Sequence, residues 1–158
     1  MLKLSKKIDY GLIVLKELCG SDGSGTQAFS SREMALGNSL PAPMVANILK
    51  ALCNAGLVTS MRGAQGGYHL SRAAHRITLG EIVEALEGPF HLVDCAGESR
   101  ECGLDHHCPT RKPLQVVHRR FQQFMDQLTL NEIVGSVSST SPEQDSPEAG
   151  YENTHLHG

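Results

Sequence analysis

The sequence predicts a mainly α-helical fold that contains one small β-hairpin and ends in a longer helix. Apolar residues recur every three or four positions in the first third of the chain and again from Leu114 to Leu128. A glycine-rich stretch separates two short strand-like runs. With 158 residues, of which 40% are hydrophobic and 4% aromatic, the chain forms one domain of ordinary size and leaves no second large core.

The first predicted helix runs from Ser5 to Cys19. Its apolar face carries Ile8, Leu12, Leu15 and Cys19 at helical spacing. A glycine- and serine-rich loop follows and ends the helix. Cys19 is therefore expected to be part of the core.

A capping box predicts the start of the second helix. The Ser30 hydroxyl accepts a hydrogen bond from the backbone N–H of Glu33, and the Glu33 carboxylate accepts one from the backbone N–H of Ser30. The helix continues through Leu36, and the sequence Gly-Asn-Ser that follows it breaks the helix.

Two prolines mark the start of a third helix. Pro41 and Pro43 fit the first helical turn, where the missing N–H of proline costs least. The core face of this helix is expected to contain Val45, Ile48, Leu49 and Leu52, with Cys53 at its border. Two short helices joined by a tight turn of this kind are typical of a helix-turn-helix.

The strand-like runs 57–60 and 67–70 follow the third helix, and residues 61–66 form a glycine-rich tip between them. Such a hairpin beside a helix-turn-helix is a wing. Arg62 at its tip suits the narrow minor groove of DNA, where the negative potential is strongest. The sequence therefore predicts a winged helix-turn-helix.

Charge is divided unevenly along the chain. Residues 1–80 carry a net charge of +5 and residues 81–158 a net charge of -8, although the whole chain is at -3. A basic first half is compatible with a polyanionic partner such as nucleic acid. No apolar run is long and uncharged enough for a signal peptide or a membrane span, so we expect a cytoplasmic protein without a membrane partner.

Three cysteines, Cys95, Cys102 and Cys108, lie in one glycine-rich segment without apolar periodicity. Clustered thiolates repel one another unless a metal or a disulfide takes up their charge, and three is an odd number for disulfides. Six and five residues separate them, wider than the spacing of about two to four typical of paired zinc ligands. A loose loop also suits an iron–sulfur cluster, and spacing alone does not distinguish cluster from zinc.

Several segments together resemble the winged-helix transcriptional regulators typified by IscR and NsrR. They are residues 2–11, 56–68 and 77–87 and the three-cysteine segment, and the resemblance runs from residue 1 to about residue 133. It implies a homodimer that binds a double-stranded DNA operator and carries an iron–sulfur cluster of the 2Fe-2S or 4Fe-4S type. The opening segment looks closest to the regulators of SUF iron–sulfur assembly operons.

The resemblance also implies a ligand set for the cluster. Cys95, Cys102 and Cys108 supply the thiolates. IscR-like members have a histidine three residues beyond the last cysteine, where this chain has Arg111, which is permanently cationic and does not ligate metal. NsrR-like members take an aspartate from the first helix of the other subunit, and Asp9 stands at the matching place. The competing candidates are the adjacent histidines His106 and His107.

The predicted DNA contacts fall into three groups. Side chains of the third helix face base edges, Arg62 enters the minor groove, and hydroxyl or cationic side chains contact phosphates. The base-edge group is Ala42, Pro43, Met44 and Asn47, and the phosphate group is Lys3, Lys6, Ser31, Arg32 and Lys50.

The chain is expected to divide into a DNA-binding domain (1–88), a cysteine-rich loop (89–110), a dimerisation helix (111–134) and a disordered tail (135–158). The helix carries a seam for packing against a second copy, formed by Leu114, Val117, Phe121, Phe124 and Leu128. The tail is polar and acidic.

The preferred function is a transcriptional regulator that senses iron–sulfur cluster status and controls SUF genes. The alternatives are a nitric-oxide-responsive cluster repressor and a cluster-free regulator that responds to thiol oxidation or zinc. An enzyme with a small-molecule substrate is not expected, because no nucleophile–base pair, phosphate loop or paired carboxylates are present in a plausible pocket.

Overall fold

The computed structural model describes residues 5–20, 27–63, 66–92 and 108–137. Its elements are α1 (Lys6–Cys19), α2 (Ser31–Gly37), α3 (Ala42–Asn54), β1 (Val58–Met61), β2 (Gly67–Leu70), a short 3-10 helix (Ala74–Arg76), α4 (Leu79–Glu87), α5 (Arg111–Gln127) and α6 (Leu130–Val137). This order confirms the predicted fold class, a mainly helical protein with one antiparallel hairpin. Among the described helices, none has both the length and the apolar character needed to cross a bilayer.

One hydrophobic core joins α1, α3, α4 and the hairpin. Burying a large aliphatic side chain contributes about 1.5 to 3 kcal/mol, so this core holds the helices in place. Its fully buried members include Val14 and Leu18 of α1, Ile48 and Leu52 of α3, and Ile82 and Leu86 of α4. Cys19 is buried as predicted, and Cys53 is half-buried at the edge of the core.

The N-terminal end of α1 lies against the C-terminal end of α4. The Ser5 hydroxyl donates to Oε1 of Glu87 at 2.6 Å, and Nζ of Lys7 donates to the backbone carbonyl of Leu86. Gly11 lets the helices approach closely, because a Cβ there would meet the side chain of Leu86. The end of α4, where the cysteine-rich segment begins, is therefore attached to the first helix.

The predicted hairpin is confirmed, although its first strand begins one residue later than predicted. β1 pairs with β2 antiparallel, with Val58 opposite Leu70 and Met61 opposite Gly67. An isolated bridge to Phe29, which the sequence analysis did not anticipate, extends the pairing. Phe29 lies just before the cap of α2, so the hairpin is joined to the start of the helix-turn-helix.

The segment predicted as one helix over 111–134 is two helices, and the structure corrects this boundary. The backbone between them is diverted, because Leu79 N–H donates to the Leu128 carbonyl and Leu130 N–H donates to the Ile77 carbonyl, both at 2.8 Å. Thr129 then forms a capping box with Glu132 that begins α6. Because α6 continues to Val137, residues 135–137 of the predicted tail are helical.

Candidate functional site

The turn between α2 and α3 has the geometry that the sequence predicted. Both halves of the capping box are present, with Ser30 N–H donating to Glu33 at 2.8 Å and Glu33 N–H donating to the Ser30 hydroxyl at 3.2 Å. Hydrogen bonds to the Glu33 carboxylate from the Ser30 hydroxyl and from the Ser30 backbone N–H lower the pKa of that carboxyl. Asn38 closes α2 through its side-chain amide, and the chain enters α3 through Pro41. The arrangement is a helix-turn-helix.

The outer face of α3 is available for contact with another molecule. Pro43, Asn47 and Lys50 are exposed and lie one turn apart along this face, and Ala42 beside them is also exposed. Met44 is half-buried and packs against the core, so less of its side chain is presented. The exposed face is mostly apolar or neutral, with Lys50 as its cation.

The wing presents Arg62 beside this helix-turn-helix. Arg62 is exposed directly after β1, and Gly63 adopts a left-handed conformation with a φ of 120° that reverses the chain. Phe29 and Tyr68 exchange two backbone hydrogen bonds, at 3.1 and 2.8 Å, between β2 of the wing and the residue before the cap of α2. Gly67 is required there, since a Cβ would lie 2.8 Å from the Phe29 carbonyl oxygen.

The predicted phosphate contacts differ in exposure. Lys6 at the start of α1, Arg32 in α2 and Lys50 in α3 are exposed. Ser31, the first residue of α2, is half-buried. Lys3 lies outside the described residues.

Cys108 is the one member of the cysteine triad within the described residues. It is half-buried just before α5, and its Sγ lies 3.2 Å from the Thr110 hydroxyl. That side-chain hydrogen bond, together with backbone N–H groups and the charge of Arg111, lowers the pKa of the Cys108 thiol. The thiolate is the form that binds metal and attacks disulfides, so this position suits either chemistry. No pattern in the sequence pointed to this role for Thr110.

The other described cysteines have the opposite electrostatic environment. Burial raises the pKa of the Cys19 thiol and that of the Cys53 thiol. Both therefore remain protonated at neutral pH and act as apolar core residues, as predicted.

The remaining predicted ligands are not assembled within the described part of the chain. Asp9 is exposed in the first turn of α1, while Cys95, Cys102, His106 and His107 lie outside the described residues. Among residues 5–20, 27–63, 66–92 and 108–137, no three His, Cys, Asp or Glu side chains are grouped closely enough to hold a metal ion.

An apolar face of α5 is uncovered in the single chain. Its large side chains are 38% to 58% exposed and line a shallow groove, and they are Val116, Val117, Phe121 and Phe124. Three of the five residues of the predicted seam, Val117, Phe121 and Phe124, line this groove, and the other two, Leu114 and Leu128, are half-buried. Exposed apolar patches of this kind mark sites of association.

Comparison with known proteins places these features in context. Residues 4–136 match the Rrf2 family model, described as an iron-dependent transcriptional regulator. The chain is 32% identical over 145 residues to the transcriptional regulator CymR of Bacillus subtilis, covering 91% of this chain and 96% of that protein. It is 30% identical over 135 residues to the transcriptional repressor NsrR of Streptomyces coelicolor, covering 85% of this chain and 90% of that protein.

Solved structures are similar over most of the chain as well. The structure of CymR, the global cysteine regulator of B. subtilis, has a TM-score of 0.67 and 31% identity, covering 86% of this chain and 98% of that one. The structure of T. potens IscR has a TM-score of 0.66 and 26% identity, covering 90% of this chain and 94% of that one.

Proposed function

Because this chain belongs to the Rrf2 family of transcriptional regulators, we propose that it regulates transcription through an iron–sulfur cluster held by its cysteine triad. Its relatives are named as transcriptional regulators and not as enzymes. The observation that carries the proposal is the position of Cys108. A thiol with a lowered pKa stands at the start of the helix whose apolar face is open to a second copy.

The cluster would be held by Cys95, Cys102 and Cys108, with Asp9 of a second copy as the fourth ligand. Cys108 fits this role because a lowered pKa favours the thiolate that ligation needs. Asp9 fits because its side chain is exposed in the first turn of α1. When bound, the cluster would supply a group that responds to oxidation, to nitric oxide or to the supply of iron and sulfide.

The exposed apolar face of α5 supports a homodimer. Two copies that pack these faces together bury the side chains of Val116, Val117, Phe121 and Phe124, which the single chain leaves in water. Each copy then contributes one helix-turn-helix and one wing. Their separation must match about one turn of DNA, roughly 34 Å, for both to bind the operator.

DNA recognition divides between the helix and the wing. On α3, Asn47 is the exposed side chain suited to paired hydrogen bonds with a base, and Ala42 and Pro43 are limited to apolar contacts such as a thymine methyl. Arg62 adds minor-groove contact, while Lys6, Arg32 and Lys50 contact phosphates. The operator is therefore recognised partly through groove shape.

The proposed cluster ligands belong to two parts of the dimer, because Asp9 lies on α1 of one copy and Cys108 lies before α5 of the other. This arrangement supports regulation of DNA binding by the cluster. A change at Cys108 or Asp9 alters the relative placement of two DNA-binding units, so operator affinity and ligand-site occupancy are coupled. The resemblance of the opening segment supports SUF-type iron–sulfur assembly genes as the regulated targets.

The test is operator affinity with and without the cluster. Anaerobically purified protein should be coloured and contain iron and acid-labile sulfide, and its operator Kd should differ from that of the apo protein by at least about fivefold at matched salt. Cys102→Ser should abolish both colour and the difference, whereas Cys53→Ser, a core thiol, should preserve them. Equal affinities of loaded and apo protein refute the proposal.

A thiol-responsive regulator without a cluster is the second candidate. The lowered pKa of Cys108 suits thiol oxidation equally well, and CymR, to which this chain is similar, is named a global cysteine regulator. This candidate predicts colourless protein, free of iron and sulfide, whose operator affinity changes reversibly on oxidation and reduction.

A further inference from the structure

Four aromatic rings join α5 to the chain that leads away from α4. The rings of Phe90 and His118 are nearly parallel, with an interplanar angle of 5° and centroids 5.7 Å apart. Phe90 also packs against Phe121 at 6.5 Å, and His91 stacks on His118 at 6.3 Å. These separations fall within the range of about 4.5 to 7 Å for favourable ring pairs. We call these four residues the ring cluster.

A hydrogen bond extends this contact toward the cysteines. The backbone N–H of Leu92 donates to Nδ1 of His118 at 3.5 Å. The bond is long, so ring packing is the larger part of the attachment. Cys95 follows three residues later in the sequence.

The other end of the cysteine segment is attached to the same helix. Cys108 lies three residues before Arg111, the first residue of α5, and its carbonyl accepts a hydrogen bond from the backbone N–H of Arg111 at 3.4 Å. Arg111 and His118 are seven positions apart on α5, which corresponds to about 10 Å along the helix axis. One rigid helix therefore holds both points from which residues 93–107 extend.

From this geometry, and resting on the proposed cluster function, we propose that Phe90 and His118 are positioning residues for the metal-binding thiolates. Their ring stack, which we call the anchor, holds the chain before Cys95 against α5, at a set distance from Cys108. The thiols are thereby brought together before metal binds, which lowers the entropy cost of binding. Phe121 belongs both to the ring cluster and to the exposed face of α5, so the anchor also touches the surface assigned to the second copy.

The anchor is tested first in reduced apo protein, by the amide hydrogen exchange of Leu92 measured with NMR. Phe90→Ala leaves the Leu92 donor and the His118 acceptor in place, yet we expect Leu92 to exchange about three- to tenfold faster, the range for a lost aromatic stack. His75→Ala, at an exposed histidine of the 3-10 helix, is the matched control and should leave this rate unchanged.

The positioning role is tested in cluster-loaded protein, by the rate at which a chelator removes the cluster, followed by visible absorption. Phe90→Ala and His118→Ala should each accelerate this loss about three- to tenfold. The double variant should accelerate the loss by less than the product of the two single effects, because the stack of Phe90 on His118 can be broken only once. His118→Phe keeps a ring in the stack and should lose the cluster at nearly the original rate.

The possible results of these two experiments distinguish the existence of the anchor from its role in cluster binding. Unchanged exchange of Leu92 in Phe90→Ala overturns the anchor. Faster exchange with unchanged cluster loss overturns the positioning role. If the unaltered protein takes up no cluster, both the proposed function and the positioning role fail, while the exchange measurement still decides whether the anchor exists.

Discussion

Replacing Gly67 by alanine tests whether the wing is held to the helix-turn-helix through Phe29. A Cβ at this position would lie 2.8 Å from the carbonyl oxygen of Phe29 and 3.1 Å from its backbone nitrogen. Both neighbours are backbone atoms, so no side-chain rotation relieves the clash. The bridge between Phe29 and Tyr68 must therefore open.

The free energy of folding that Gly67→Ala should lose is set by the hydrogen bonds in that bridge. Phe29 N–H donates to the Tyr68 carbonyl at 3.1 Å, and Tyr68 N–H donates to the Phe29 carbonyl at 2.8 Å. Each such bond contributes about 0.5 to 1.5 kcal/mol net, so Gly67→Ala should lower the free energy of unfolding by about 1 to 3 kcal/mol. Operator binding should weaken as well, because the wing is no longer held beside α2.

Urea denaturation followed by circular dichroism measures the first effect, and fluorescence anisotropy with an operator duplex selected from random sequences measures the second. Gly37→Ala is the matched control, since a Cβ at Gly37 would meet nothing within 4 Å. If Gly67→Ala unfolds at the same urea concentration as Gly37→Ala, the bridge does not hold the wing.

Three further predictions concern DNA binding, thiol chemistry and association. Arg62→Ala should weaken operator binding by about 1 to 3 kcal/mol in the anisotropy assay, because the positively charged side chain proposed to enter the minor groove is removed. In apo protein, Cys108 should react with iodoacetamide at a lower pH than an ordinary thiol, since its lowered pKa keeps the thiolate populated as pH falls. Thr110→Val should shift that reaction to higher pH. Peptide mass spectrometry follows the extent of alkylation in both proteins. Phe124→Glu should produce monomers in analytical ultracentrifugation, because it buries a charge in the apolar face of α5.

Each of these measurements has a result that contradicts it. An unchanged dissociation constant for Arg62→Ala removes the wing from the DNA interface. Identical alkylation profiles with and without Thr110→Val show that the Thr110 hydroxyl does not stabilise the thiolate. Leu36→Glu is the control for association, since Leu36 is 72% exposed on α2, away from α5. If this variant and Phe124→Glu have the same mass, α5 is not the dimer interface.

The helix-turn-helix was predictable because its signals are local. The capping box between Ser30 and Glu33 and the prolines at the start of α3 act within one turn, and both are present as predicted. The hairpin was predictable from its glycines for the same reason. The Thr78–Glu81 capping box that begins α4 is equally local, but the sequence analysis did not assign a helix there.

The candidate site was predictable only in part. Residue chemistry alone identified the cysteine triad, Arg62 and the exposed positions of α3. The hydrogen bond between Cys108 and Thr110 and the stack of Phe90 on His118 were not identified. The second pair is separated by 28 positions in the chain, and sequence periodicity carries no information about contacts over that distance.

By itself, the sequence determined the helical fold, the wing and the kind of chemistry that three clustered thiols support, because each depends on residue type and short spacing. Tertiary structure alone decided the break between α5 and α6, the attachment of the wing to Phe29 and the junction of the cysteine segment with α5. These features arise from hydrogen bonds and ring contacts between segments far apart in the chain, and they form only when the shared core has brought those segments together.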